Sequence, residues 1–124
     1  MKNIPAVRIA ALFGFLAVVL GAFGAHALKG TLEQNQTTAI WEKAVFYHFI
    51  HTIMLFVLAL HWPRFRWPWF AFLAGILIFS GSLYLLALTN HRWLGRITPF
   101  GGVGFIIGWL WLALCPGKET ARSS

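Results

Sequence analysis

His48 and His51 stand three residues apart inside a long apolar run, so on a helix they share one face with Ala44 and Thr52. Imidazoles in such a setting can bond neighbouring polar groups, ligate a metal or hold a polar ligand. Few other polar residues fall in apolar runs. His26 closes the first run, Ser80, Ser82 and Tyr84 lie in the third, and Thr98 opens the fourth. A metal wants three or four ligands. His26, His48 and His51 would supply three imidazoles only if their helices turn these faces together, and the nearest carboxylate, Glu42, stands at an entrance rather than within a span. Two histidines three apart on one helix cannot clasp a haem from opposite sides; only His26 would serve as such a partner. No metal and no cofactor is therefore expected. Phe79-Ser80-Gly81-Ser82 lacks the G-x-S-x-G order of a nucleophile elbow. Pro99-Phe-Gly-Gly102 lacks the Lys and Ser/Thr of a phosphate loop. No catalytic set is read, and the chain is expected not to be an enzyme.

The elements carrying these residues follow from composition. Of 124 residues, 59% are hydrophobic and 10% charged, against roughly 25% charged in a soluble domain. That leaves too little polar surface for a water-soluble fold. Four apolar stretches come close to the about 20 residues a helix needs to cross a bilayer, at about 5–28, 43–60, 69–88 and 98–114. Asn3 can cap the first and Pro5 suits its first turn; Thr98-Pro99 repeats that signal at the fourth, which Cys115-Pro116-Gly117 ends. The runs are continuous and too long for barrel strands, which alternate over about 10 residues. Ala25-His26-Ala27 imitates a signal-peptidase site, but the preceding run exceeds a signal core, and retention is expected. The expected fold is all-α, a polytopic membrane protein forming one antiparallel four-transmembrane-helix bundle over 1–117, with a short polar tail at 118–124. Between the first two spans, Lys29 to Glu42 is the one strongly polar connection. It can start the second helix early, with Trp41 at the interface.

Net charge is +7, but the basic residues sit in pairs between spans rather than on one face. They read as flanking charges rather than a nucleic-acid surface. Lys2, Arg8, Arg64, Arg66, Lys118 and Arg122 fall on the side of the termini, and Lys29, Lys43, Arg92 and Arg96 on the other. The positive-inside rule then puts both termini in the cytoplasm. His61 to Trp69 alternates aromatic rings with arginine and reads as an interfacial anchor. Cys115, the sole cysteine, excludes an intrachain disulfide and reads as a small helix-end residue.

Helices in lipid associate through close backbone approach at small residues. The first span offers Ala10, Gly14, Ala17, Gly21 and Ala25 on one face; the third offers Gly75 and Gly81; the fourth offers Gly101, Gly104 and Gly108. Gly14, Gly21, Gly75, Gly81, Gly104 and Gly108 are expected to pack helices, with Gly21→Leu disruptive. The rise of about 1.5 Å per residue gives depth. Measured from the side opposite the termini, His26, His48, His51, Ser80, Ser82, Tyr84 and Thr98 all fall in one half of the bilayer. They make a candidate polar cavity.

Gly21-Ala-Phe-Gly-Ala-His26, the Trp41…Tyr47-His48 region, Phe79-Ser-Gly-Ser-Leu-Tyr84 and Thr98-Pro-Phe-Gly-Gly102 with Gly108-Trp109 resemble the YgdD-like family of small bacterial inner-membrane proteins, a domain of unknown function with eukaryotic relatives. The resemblance implies a four-helix plasma-membrane protein and supplies no catalytic residue or substrate. The functional expectation is association through helices, in an accessory, assembly or oligomeric role, with membrane lipids and other membrane proteins or a second copy as partners. The alternative is a small-ligand, ion, metal or quinone binder using the polar cavity.

Overall fold

A computed structural model describes residues 2–115. The helix break expected at Pro116-Gly117 and the polar tail lie outside the described residues. The described residues form six α-helices: α1 (Ile4–Ala25), α2 (Lys29–Asn35), α3 (Thr38–Leu60), α4 (Arg66–Gly75), α5 (Gly81–Thr89) and α6 (Thr98–Leu114). A π-helical segment, Ile76–Ser80, joins α4 to α5 into one continuous rod, and a 3₁₀ turn, Arg92–Arg96, precedes α6. Among the described residues four helical stretches are long and apolar enough to cross a membrane: Ile4–Ala25, Thr38–Leu60, Arg66–Thr89 and Arg92–Leu114. They pack antiparallel.

Local chemistry accounts for most boundaries. Asn3 caps α1 by accepting from the Ala6 amide at 3.0 Å, with Pro5 in the first turn. Gln36 ends α2 and Asn90 ends α5, both in the left-handed region at φ 58° and 60°, which Asn tolerates better than most residues. The first connection is ordered: α2 occupies its first half, and α3 begins at Thr38, ahead of the Lys43 start of the expected span. Trp41, expected at the interface, is instead buried against α1. A residue's place in a polar stretch says nothing of whether a neighbouring helix covers it.

Within the bundle α3 packs against both α1 and the α4–α5 rod, and α6 packs on that rod and meets α3 through side chains. Ala6 and Ala10 of α1, Leu55, Leu58 and Ala59 of α3, Trp69, Phe72 and Ile76 of the rod and Phe105 of α6 share one core. At the terminus side, the Asn3 amide donates to Ala59 O at 3.0 Å, and Arg64 brings its guanidinium to 4.0 Å from Cys115 Sγ. Within the anchor segment, Arg64 lies over Phe65 and Arg66 over Trp67, while Trp69 turns into the core. At the other side, Thr37 donates to Ala87 O at 2.8 Å, and Asn35 donates to the same carbonyl at 3.0 Å. The outward faces carry Leu12, Phe15 and Val18 of α1, Phe46, Phe49 and Ile53 of α3, and Ile106, Leu110 and Leu114 of α6. A water-exposed monomer rarely shows so continuous an apolar surface; in lipid it costs nothing.

Candidate functional site

The intramembrane polar residues share one half of the bundle, but they meet in separate pairs. Ser80, fully buried in the π segment, donates to Ala44 O on α3 at 2.8 Å. Ser82 on α5 and Thr98 on α6 are 2.6 Å apart, and Ser82 also reaches Phe79 O at 2.9 Å. Thr98 was expected to cap α6. It stands as the first helical residue without a capping bond, its hydroxyl turned sideways to Ser82. His48 Nδ1 lies 2.9 Å from the Tyr84 hydroxyl on α5. Its buried Nε2 has no hydrogen-bond partner, the ring meets Phe13 of α1 edge-on, and one turn on, the buried Thr52 Oγ1 also has no partner.

His51 faces the other way, toward α6. Its Nδ1 lies 2.8 Å from Tyr47 O; a carbonyl only accepts, so Nδ1 carries the proton. Nε2 is then free to accept, and Trp109 Nε1–H donates to it at 3.0 Å. Phe105 stacks on the imidazole with centroids 3.7 Å apart, and Phe72 and Trp109 meet it edge-on. Both ring nitrogens are thus used, and Nε2 would reach a metal only by displacing Trp109. His26 lies apart, exposed at the end of α1. Among the described residues no group of three His, Cys, Asp or Glu side chains is placed to hold a metal. Depth along the helices brought these residues into one layer. Their azimuths send them to different interfaces: Ser80 and Tyr84 tie the rod to α3, Thr98 ties α6 to α5, and Trp109 ties α6 to α3. Interhelical bonds of this kind contribute about 0.6 kcal/mol each in a bilayer.

Two lateral grooves open between spans. One, of about 410 Å³, lies between α1, α2 and α3, bounded by Gly21 and Gly24 on one wall and Thr38, Trp41, Glu42, Val45 and Phe49 on the other. The second, of about 630 Å³, separates α3 from α6 and is walled by Tyr47, Phe79, Phe105, Ile106 and Trp109, with Gly102 on its lining. Neither of these grooves is lined by the histidines and hydroxyls together; of them, His51 borders the second groove.

A family model described as a protein of unknown function (DUF423) matches residues 20–102. A UPF0382 membrane protein of Staphylococcus epidermidis is 47% identical over 116 residues, covering 90% of this chain and 94% of the relative. The UPF0382 membrane protein YwdK of Bacillus subtilis is 41% identical over 119 residues, covering 90% and 95%. Another from Haemophilus influenzae is 42% identical over 117 residues, covering 91% and 93%. This chain belongs to the DUF423 family. No solved structure matches it. It is an integral membrane protein, and the family carries no biochemical function that could be transferred to it.

In this DUF423 chain the glycines divide sharply. A Cβ on Gly101 would lie 2.7 Å from Phe79 Cα, one on Gly104 would lie 3.0 Å from Ala71 O, and one on Gly75 or Gly108 would overlap the ring of Phe105 or Phe72. The α4–α6 crossing therefore runs backbone to backbone. Gly14 and Gly21 would make only ordinary contacts, 3.5 Å from Thr52 Cγ2 and 3.4 Å from Val45 Cγ1, and Gly81 has nothing within 4 Å. Gly24, which the small-residue spacing passed over, is required: a Cβ there would overlap the Trp41 indole, whose Nε1–H donates to Leu20 O at 2.9 Å. The signal was available as a glycine before the polar connection and a tryptophan near its far end.

Proposed function

We propose that this protein is a non-enzymatic accessory component of the bacterial inner membrane, and that it holds a helix of another membrane protein in the cleft between α3 and α6. The observation carrying this reading is that cleft: α3 and α6 touch through Tyr47, His51, Phe105 and Trp109 side chains while their backbones stay apart. Gly102 borders it, and a Cβ there would meet only Phe79 Cδ2 at 3.9 Å. A small residue on an open, lipid-facing cleft is where a further helix approaches closely. The other glycines of α6 pack on α4 and the π-helical segment, and the buried hydroxyls and imidazoles mostly bond one another or the backbone, which supports a structural rather than catalytic use of both. A photo-reactive side chain at Ile106, used in native membranes, should give a discrete protein adduct that Gly102→Trp abolishes. Lipid adducts alone, unchanged by Gly102→Trp, contradict the reading; an adduct of twice the chain's mass makes the partner a second copy.

A second reading is favoured by the aromatic walls of the same cleft. Tyr47, Phe79 and Phe105 lie with centroids 4.7 to 6.1 Å apart, suited to the flat head of a quinone-like ligand. An organic extract of the purified protein without redox-active absorbance disposes of it.

Both termini belong in the cytoplasm on this account, supported by the larger number of basic residues on their side. Reaction of Lys2→Cys, in a Cys115→Ala background, with an impermeant maleimide on whole inner-membrane spheroplasts would reverse that orientation. The narrower likeness to YgdD-like proteins is supported by the four ordered motifs.

A further inference from the structure

We infer that the groove between α1, α2 and α3 is a phospholipid site, taking one acyl chain of the leaflet opposite the termini beneath a headgroup that carries a primary ammonium. The groove runs along α3 from Thr38 and Glu42 at its polar end to Phe49 and Ile50. Twelve residues of helix span about 18 Å, and one leaflet of a hydrocarbon core about 30 Å thick is about 15 Å deep. The groove is thus as long as one leaflet is deep, and it starts where that leaflet's headgroups lie. Its volume of about 410 Å³ is in the range of specific small-ligand sites.

The walls explain why there is room. Gly21 leaves the α1 wall without a side chain, Gly24 admits the Trp41 indole, and Val45, Phe46, Phe49 and Ile50 supply hydrocarbon from α3. Phe46, Phe49 and Ile50 are themselves exposed, so the groove is open to the bilayer along its length. Leu32 of α2, fully buried, closes the upper wall.

The polar end selects the headgroup. Glu42 borders the groove and is exposed, and among the described residues it makes no ion pair. An unpaired carboxylate at the headgroup level repels an anionic lipid and attracts an ammonium donor. Lys43 follows it on α3, and Lys29 begins α2 just beyond the Ala25 wall; both are exposed. Glu42, with Lys43 next to it in sequence, offers both signs that a zwitterion carries, the ammonium on Glu42 and the phosphate toward Lys43, and Glu33, exposed on α2, adds a second carboxylate at this end. Phosphatidylethanolamine has that charge order together with N–H donors. Phosphatidylglycerol lacks the cation, and phosphatidylcholine lacks the donors.

The test is native mass spectrometry of the full chain in detergent with equimolar phosphatidylethanolamine, phosphatidylglycerol and phosphatidylcholine. The wild type should retain one phosphatidylethanolamine with about fivefold preference over either competitor, the scale of one exposed charge pair. Glu42→Gln should keep a bound lipid but lose that preference. Val45→Trp should lose the lipid by filling the groove; Gly21→Val fills it from the opposite wall and serves if Val45→Trp does not fold. Equal retention by the wild type and a groove-filled, folded variant overturns the site. An undiminished preference in Glu42→Gln overturns the headgroup assignment. Neither result bears on the α3–α6 cleft, whose readout is the adduct at Ile106.

Discussion

The α1–α3 and α4–α6 crossings carry the same kind of sequence and end up differently. On paper α1 has the more regular small-residue face, with Ala10, Gly14, Ala17 and Gly21 spaced along one side. In the fold it is α6 whose glycines are filled, by the Phe79 backbone, Ala71 O and Gly75. The difference lies in the partner. The α4–α5 rod meets α6 with Ala71, Gly75 and a widened π turn, so two backbones close on each other. By contrast, α3 meets α1 with Trp41, Val45, His48 and Thr52, so the glycines of α1 face side chains rather than backbone and a groove opens beside Gly21. Small-residue spacing states that a face permits close approach; the facing helix decides whether close approach happens.

Substitutions should break that contrast in a definite order. Gly101→Ala has the largest effect, because its methyl meets the Phe79 main chain and neither can yield. Overpacking of this kind costs about 2 kcal/mol, readable as a lowered unfolding midpoint in mild detergent; an unchanged midpoint would mean α4 and α6 are not locked there. Trp41→Phe comes next. It removes the donor to Leu20 O and part of a buried ring, for a loss of about 1 kcal/mol, and a loss as large as that of Gly101→Ala would show that α1 depends on this one anchor. Gly81→Ala is the smallest. Its site is empty within 4 Å and its backbone is helical, so alanine should be neutral or stabilise by up to about 1 kcal/mol through helix propensity. Destabilisation there would restore Gly81 as a packing residue.

The parts of this architecture that depend on one helix at a time were legible in the residues. Membrane insertion follows from apolar length, the α1 start from Asn3 and Pro5, and the shared depth of His48, Ser80 and Tyr84 from connectivity and helical rise. What depends on rotation about the helix axis was not. His48 turns to Tyr84 and α1, and His51, three residues on, turns to Trp109 and α6, so one expected cavity became separate bonds. His26 was at the right depth and still ends up outside, since it follows the last turn of α1. Trp41 and Gly24 were missed for a related reason. Each is ordinary in its own helix, and only their opposition makes them a pair.

The claim under everything else is that α6 is locked by glycine against its neighbour while α1 is not. The direct measurement is the unfolding midpoint of Gly104→Val and Gly14→Val, side by side in the same micelles. The account predicts a fall of several degrees for Gly104→Val, on the order of 2 kcal/mol, and a shift well under half of that for Gly14→Val. Equal shifts, or a larger one at Gly14, would contradict it.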